Sequence, residues 1–79
     1  MRVRLDGDAK KQYKRLNEPM LSRIDDAIDG LEKEPPEGDI KPLKGFPEIS
    51  RVRVGNYCVL FFDEGDIRYV FRIAPQGEV

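Results

Sequence analysis

The chain has 79 residues, with 14 Lys and Arg against 15 Asp and Glu, and no histidine. That length supports one small core, so residues 1–79 read as a single domain and a cofactor domain joined to a substrate domain is excluded. A net charge of −1 excludes a generally basic nucleic-acid coat, so any nucleic-acid site has to be a local patch.

In chain order, Arg2-Val3-Arg4-Leu5 alternates charge with apolar residues and predicts a short strand. Gly7-Asp8 predicts a helix start, with Asp8 as N-cap. Ala9, Tyr13 and Leu16 follow at i, i+4 and i+7, opposite the basic Lys10, Lys11, Lys14 and Arg15. Asn17-Glu18-Pro19 ends that helix, and Pro19 suits the first turn of the next. Met20, Leu21, Ile24, Ala27, Ile28 and Leu31 keep a 3.6-residue beat, with Arg23, Asp25, Asp26 and Asp29 on the wet side. Gly30 marks the approach of the end, and Pro35-Pro36 stop the helix. Residues 34–49, rich in Pro, Gly and charge, read as a loop.

Three runs joined by two turns then predict an antiparallel meander. Arg51-Val52-Arg53-Val54 alternates, Gly55-Asn56 turns, Tyr57 to Phe62 is apolar, and Asp63 to Asp66 turns again. Ile67 to Ile73 alternates once more, with Arg68 and Arg72 read together on one face. The predicted class is α+β: a short N-terminal strand beside a meander strand, a two-helix hairpin, then the three-stranded meander, with the helices packed on one sheet face.

The remaining composition narrows the chemistry. Cys58 is the only cysteine, so no internal disulfide is possible. Met1 to Asp6 lacks the apolar core of a signal peptide, and no run is long enough to span a membrane. A cytoplasmic protein without membrane association is expected. Without histidine there is no Ser-His or Cys-His catalysis; neither a metal nor a cofactor is expected, because zinc ligands and phosphate-cradling glycine motifs are missing. Any catalysis falls to Lys, Arg, Tyr and carboxylates. Between Leu31 and Ser50, Glu32, Glu34, Glu37, Asp39 and Glu48 outnumber three lysines, whereas the meander is rich in arginine.

Taken in order, Pro42 to Gly45 (PLKG), Arg51 to Tyr57 (RVRVGNY), the apolar strand and acidic turn from Val59 to Asp66, and Arg72 to Val79 (RIAPQGEV) resemble the RelE/ParE superfamily of toxins from toxin–antitoxin systems. The element order agrees over essentially the whole chain. The resemblance implies a RelE-like fold and a metal-free endoribonuclease that cuts mRNA in the ribosomal decoding site, held inactive by a cognate antitoxin in a hetero-oligomer. Such a reaction needs a 2′-hydroxyl aligned on the adjacent phosphate, an acceptor for its proton, cations around the crowded phosphate and a proton for the leaving oxygen.

Carried over by position, the second-strand basic residues are Arg51 and Arg53. Cys58 stands where an arginine commonly follows the turn tyrosine, and Gln76 where one is common in the closing motif. A family tyrosine would follow Val79. The catalytic set implied is therefore Arg51, Arg53, Cys58 and Gln76, with Lys41, Lys44, Arg51 and Arg53 binding RNA, and cleavage is expected to be weak or absent. ParE-like members act on DNA gyrase, and a gyrase inhibitor or a non-catalytic antitoxin-binding homologue stays open. Each residue also has a plainer reading. Arg51 and Arg53 suit a solvated strand face, Lys41 and Lys44 ordinary loop solvation, Cys58 a bland strand position, and Gln76 a turn. Tyr57 and Tyr69 suit either base stacking or packing, and Glu78 is the carboxylate nearest the site in sequence.

Overall fold

The computed structural model describes residues 1–78; Val79, the last residue of the Arg72–Val79 motif, lies outside them. The chain runs β1 (Arg2–Leu5), α1 (Gly7–Lys14), α2 (Met20–Leu31), β2 (Asp39–Leu43), β3 (Phe46–Val54), β4 (Tyr57–Glu64), β5 (Ile67–Pro75) and a 3-10 turn over Gln76–Glu78. One sheet of order β1-β5-β4-β3-β2 carries both helices on one face. The α+β class, the helix hairpin and the meander agree with the sequence. β1 joins the sheet beside β5, parallel to it, and the other pairs are antiparallel.

Two local expectations change. Residues 34–49 are not all loop, since they contain β2 and the first part of β3. β2 has only Ile40 and Leu43 as large apolar residues and carries Pro42, which a strand tolerates at a sheet edge, where β2 lies. The N-cap of α1 is Asp6 rather than Asp8: its carboxylate accepts the Ala9 N–H at 2.9 Å, and Asp8 falls inside the first turn. At α2, Pro19 occupies the N-cap and cannot cap with its side chain, so Glu18 accepts from the Ser22 N–H and hydroxyl at 2.9 and 2.8 Å. Gly30 lies inside α2, and its role is close approach: a Cβ there would meet the Glu37 carbonyl oxygen at 2.8 Å.

The core fills the space between helices and sheet. Ala9, Ile24 and Leu31 come from the helices, and Val52, Val54, Val59, Phe61, Val70 and Ile73 from the sheet. Val70 and Ile73 are three apart on one strand, which strict alternation forbids. The β4–β5 register shifts between Leu60 and Phe61, pairing Phe61 with Val70 and Leu60 with Arg72. This bulge leaves Phe71 and Arg72 together on the opposite, helix-free face.

Polar contacts fix the helices to the sheet. Where β1 ends, α1 covers the edge of β5: Gln12 Oε1 accepts the Ile73 N–H at 2.7 Å. Tyr13 donates its hydroxyl to Asp25 at 2.6 Å, joining α1 to α2. Arg68 points to the helix face and is only 3% exposed, so the expectation that it shares a face with Arg72 is overturned by the bulge. Its Nη1 donates to the carbonyls of Leu31 and Lys33 at 2.8 and 2.9 Å, at the C-terminal end of α2. Nε and Nη2 grip Asp63 at 2.9 and 3.3 Å, and Nη2 also reaches Glu34 at 3.4 Å.

Asp63 and Glu34 are substantially exposed, so their charges are screened and the carbonyl bonds dominate. Replacing Arg68→Ala is expected to lower unfolding free energy by about 2–4 kcal/mol, because buried acceptors lose their donor. Asp63→Asn should cost under about 1 kcal/mol, and urea denaturation measures both.

The hydrogen bond to the Asp25 carboxylate, with burial and nearby acidic charge adding to it, raises the Tyr13 phenol above its usual range. Its stabilising contribution is therefore complete below the unfolded phenol pKa and is lost as pH rises through the folded one. Tyr13→Phe should be less stable than the parent at neutral pH, with the gap closing in alkali when urea midpoints are compared across pH.

Candidate functional site

The sheet face away from the helices is where the sequence-predicted residues meet. Cross-strand partners share a face, so the registers place Lys41, Arg51, Leu60 and Arg72 in one row across β2, β3, β4 and β5. The next row holds Asp39, Arg53, Cys58 and Ala74. Neighbouring strands are separated by about 4.8 Å and alternate residues by about 7 Å, so four cations lie over two adjacent rows. Among the described residues, none of Lys41, Arg51, Arg53 or Arg72 has a carboxylate within ion-pair distance. They face the same way, with Asp39, opposite Arg53 in the register, as the acidic residue in these rows.

Each arginine has a local tether of modest strength. Arg51 Nη1 donates to Cys58 Sγ at 4.0 Å, a weak contact, and Arg53 Nε donates to the Gly55 carbonyl at 3.4 Å. Arg72 Nη2 donates to the backbone carbonyl of Glu78 at 2.7 Å, drawing the C-terminal 3-10 turn toward the face. Cys58 is 1% exposed, though its strand face carries no helix; Leu60 and Ala74 are its buried neighbours. The thiol lies beneath the cationic rows rather than in contact with solvent.

Lys41, Arg51, Arg53 and Cys58 are thus brought together. Lys44 is not with them, since it sits in the β2–β3 turn beyond the paired rows. Gln76 lies past the Cys58–Ala74 row, where its backbone N–H donates to the Asn56 carbonyl at 2.8 Å. It is exposed, and that bond serves the turn. Tyr57 packs against the helix-face core, whereas Tyr69 stands on the helix-free face. Glu78 meets Arg72 through its carbonyl, while Asp39 is the carboxylate that the register places in the row with Arg53.

Arg72 is the residue that the sequence-derived site set omitted. Alternation counted from Ile67 puts it with Arg68; only the bulge sends one arginine inward and the other outward. The signal was present as two residues, Phe71 and Arg72, between Val70 and Ile73, both apolar and both core, where alternation allows one or three. Chemically the face can bind a polyanion at several points and stabilise charge. Among the described residues there is no enclosed pocket and no cluster of three or more metal-ligating side chains. No helix is long and apolar enough to cross a membrane.

Comparison with known proteins gives a consistent answer. Residues 3–79 match the family profile described as the ParE toxin of type II toxin–antitoxin system, parDE. No curated protein matches the chain significantly in sequence. Among solved structures, the RelB–RelE antitoxin–toxin complex from Methanococcus jannaschii superposes with a TM-score of 0.78 at 25% identity, covering 94% of this chain and 91% of that one. The RelE–RelB complex of Pyrococcus horikoshii OT3 gives 0.77 at 24%, over 99% and 97% of the two chains. The YoeB/ParE toxin from Agrobacterium tumefaciens gives 0.79 at 19%, over 95% and 98%, a likeness of fold.

The placement of Cys58 predicts its reactivity. In the folded protein a thiol reagent should label it far more slowly than in urea. Arg51→Ala should speed the reaction, because Arg51 touches the sulfur, and Arg53→Ala should have much less effect, because Arg53 is turned toward Gly55. Equal acceleration by both variants would count against this packing.

Proposed function

The chain belongs to the ParE toxin family of type II toxin–antitoxin systems, and from that premise we propose that it acts on mRNA at the ribosome through its helix-free sheet face, with an antitoxin as its inhibitory partner. The observation that carries this reading is the set of four cations, Lys41, Arg51, Arg53 and Arg72, on adjacent rows of one face, with no ion-pair partner among the described residues. An RNA backbone offers charge of the opposite sign at successive positions along its strand. The archaeal proteins of similar fold are themselves toxin–antitoxin complexes, which supports the partner and a hetero-oligomeric resting state.

In the proposed reaction the 2′-oxygen forms a bond to the adjacent phosphorus as the bond to the 5′-oxygen breaks. Arg51 and Arg72, two strands apart in one row, suit the non-bridging oxygens from either side. Arg53 and Lys41 hold the flanking backbone. Asp39 and Glu78 are the carboxylates available to accept the 2′-hydroxyl proton, and solvent water supplies the proton that the departing 5′-oxygen takes up. Cleavage is weak on this reading, since Cys58 and Gln76 supply no positive charge where the resemblance implies arginines. Cys58 is also buried and Gln76 stands beyond the rows, so neither is assigned a chemical step.

A second reading, inhibition of DNA gyrase, is favoured by the match to a ParE profile and by the same missing charges. The two separate in one set of assays. With programmed ribosomes, the parent should cut mRNA weakly or not at all, and Cys58→Arg with Gln76→Arg should raise codon-site cutting by at least about 100-fold, the lower end of what one well-placed charge stabiliser contributes. Adding Arg51→Ala to that variant should remove the gain. Silence from every folded variant, with loss of gyrase supercoiling on addition of the parent, would transfer the function to gyrase.

A further inference from the structure

The helix-free face carries aromatic rings as well as cations. Phe62 pairs with Tyr69 across β4 and β5, with ring centroids 5.5 Å apart and planes inclined by 23°. Phe71, turned outward by the bulge, lies 5.8 Å from Phe62 with its ring tilted by 51°. All three are half-buried, and none belongs to the core between helices and sheet. Phe62 is two residues from Leu60 on β4, so this aromatic row is next to the row of Lys41, Arg51 and Arg72. On its other side Arg4 of β1 pairs with Tyr69. Cations therefore flank the rings on two sides.

A ring cluster bordered by arginines that have no ion-pair partner among the described residues matches the two demands of a single-stranded nucleic acid, a π-surface for its bases and positive charge for its backbone. A helical peptide makes a different demand, an apolar groove for its nonpolar side chains, whereas these rings are bordered by cations on two sides. We propose that Phe62, Tyr69 and Phe71 form a stacking platform for an unpaired base next to the phosphate held by Arg51 and Arg72. This deepens the proposed RNA reading and rests on it. The bulge is what makes the platform, because it seats Phe71 beside Arg72 instead of beneath it.

The test is the binding of a fluorescently labelled single-stranded RNA hexamer, and of the same hexamer with abasic positions, measured by anisotropy over a range of salt. Tyr69→Leu should weaken binding of the intact hexamer by about 5- to 100-fold, the range for losing one stacked base, with the salt slope unchanged. It should leave abasic binding unaltered, and Tyr69→Phe, which keeps the ring, should bind as the parent does. Arg51→Ala should weaken both oligomers and reduce the salt slope by about 0.7. If Arg51→Ala weakens binding while Tyr69→Leu does not, or if the parent binds the abasic oligomer equally well, the platform is wrong and the RNA reading survives. If the parent binds neither oligomer but binds an acidic helical peptide that Tyr69→Leu releases, both are overturned. Urea denaturation of each variant confirms that it is folded, and Phe62→Leu gives an independent repeat.

Discussion

Val70 and Ile73 both have to reach the core, and an unbroken strand cannot send residues three apart to the same face. The bulge against Leu60 and Phe61 resolves this, and much of the molecule follows from it. Inward, it lets Val70 meet Phe61 and Ile73 meet Val59, so the sheet presents continuous apolar rows to both helices. Outward, it sets Phe71 and Arg72 side by side on a face that no helix covers. A single extra residue thus completes the core and furnishes the opposite face.

The helices would still be free to slide on so small a core without directional contacts. Hydrophobic burial is non-directional, whereas hydrogen bonds fix angle and register. Three contacts supply that direction. Gln12 closes the edge of β5, Tyr13 ties α1 to α2, and Arg68 on β5 joins the end of α2 to Asp63 on β4. Arg68 is the most demanding of them. A guanidinium 3% exposed has to be nearly saturated with acceptors, and two backbone carbonyls with a bidentate carboxylate provide them. The arginine that resembles its neighbours in sequence is the one that belongs to the fold.

Periodicity made the helices and the meander legible, because each has one buried face and the period of burial is the period of the element. β2 was not legible, since an edge strand with a proline and two apolar residues carries little of that signal. Alternation also put Arg51 and Arg53 on one face, and the uninterrupted pairing of β3 with the start of β4 sets Cys58 opposite Arg53. It failed for Arg68 and Arg72, where a bulge changes the parity and nothing in a charge-by-charge count reveals it. Burial of Cys58 was equally invisible. A strand residue on a helix-free face reads as exposed until the long side chains around it are placed.

Net charge conceals how unevenly this chain distributes its ions. Acids crowd α2 and the segment after it, while the helix-free face holds Lys41, Arg51, Arg53 and Arg72 with no carboxylate in ion-pair contact among the described residues. Solubility would be served as well by mixing the signs, and more cross-strand neighbours of opposite charge, such as Asp39 opposite Arg53, would stabilise the sheet better. Leaving like charges on adjacent rows costs stability unless an anion arrives to relieve it. The same arithmetic bears on the absent arginines. A guanidinium at position 58 would stand directly against Arg51 and Arg53, so a cysteine there lowers repulsion in the free protein and removes charge from any bound phosphate. On the proposed reading, binding and cleavage separate at this position: the outer cations suffice to hold a strand, while the central charge that would hasten its scission is missing.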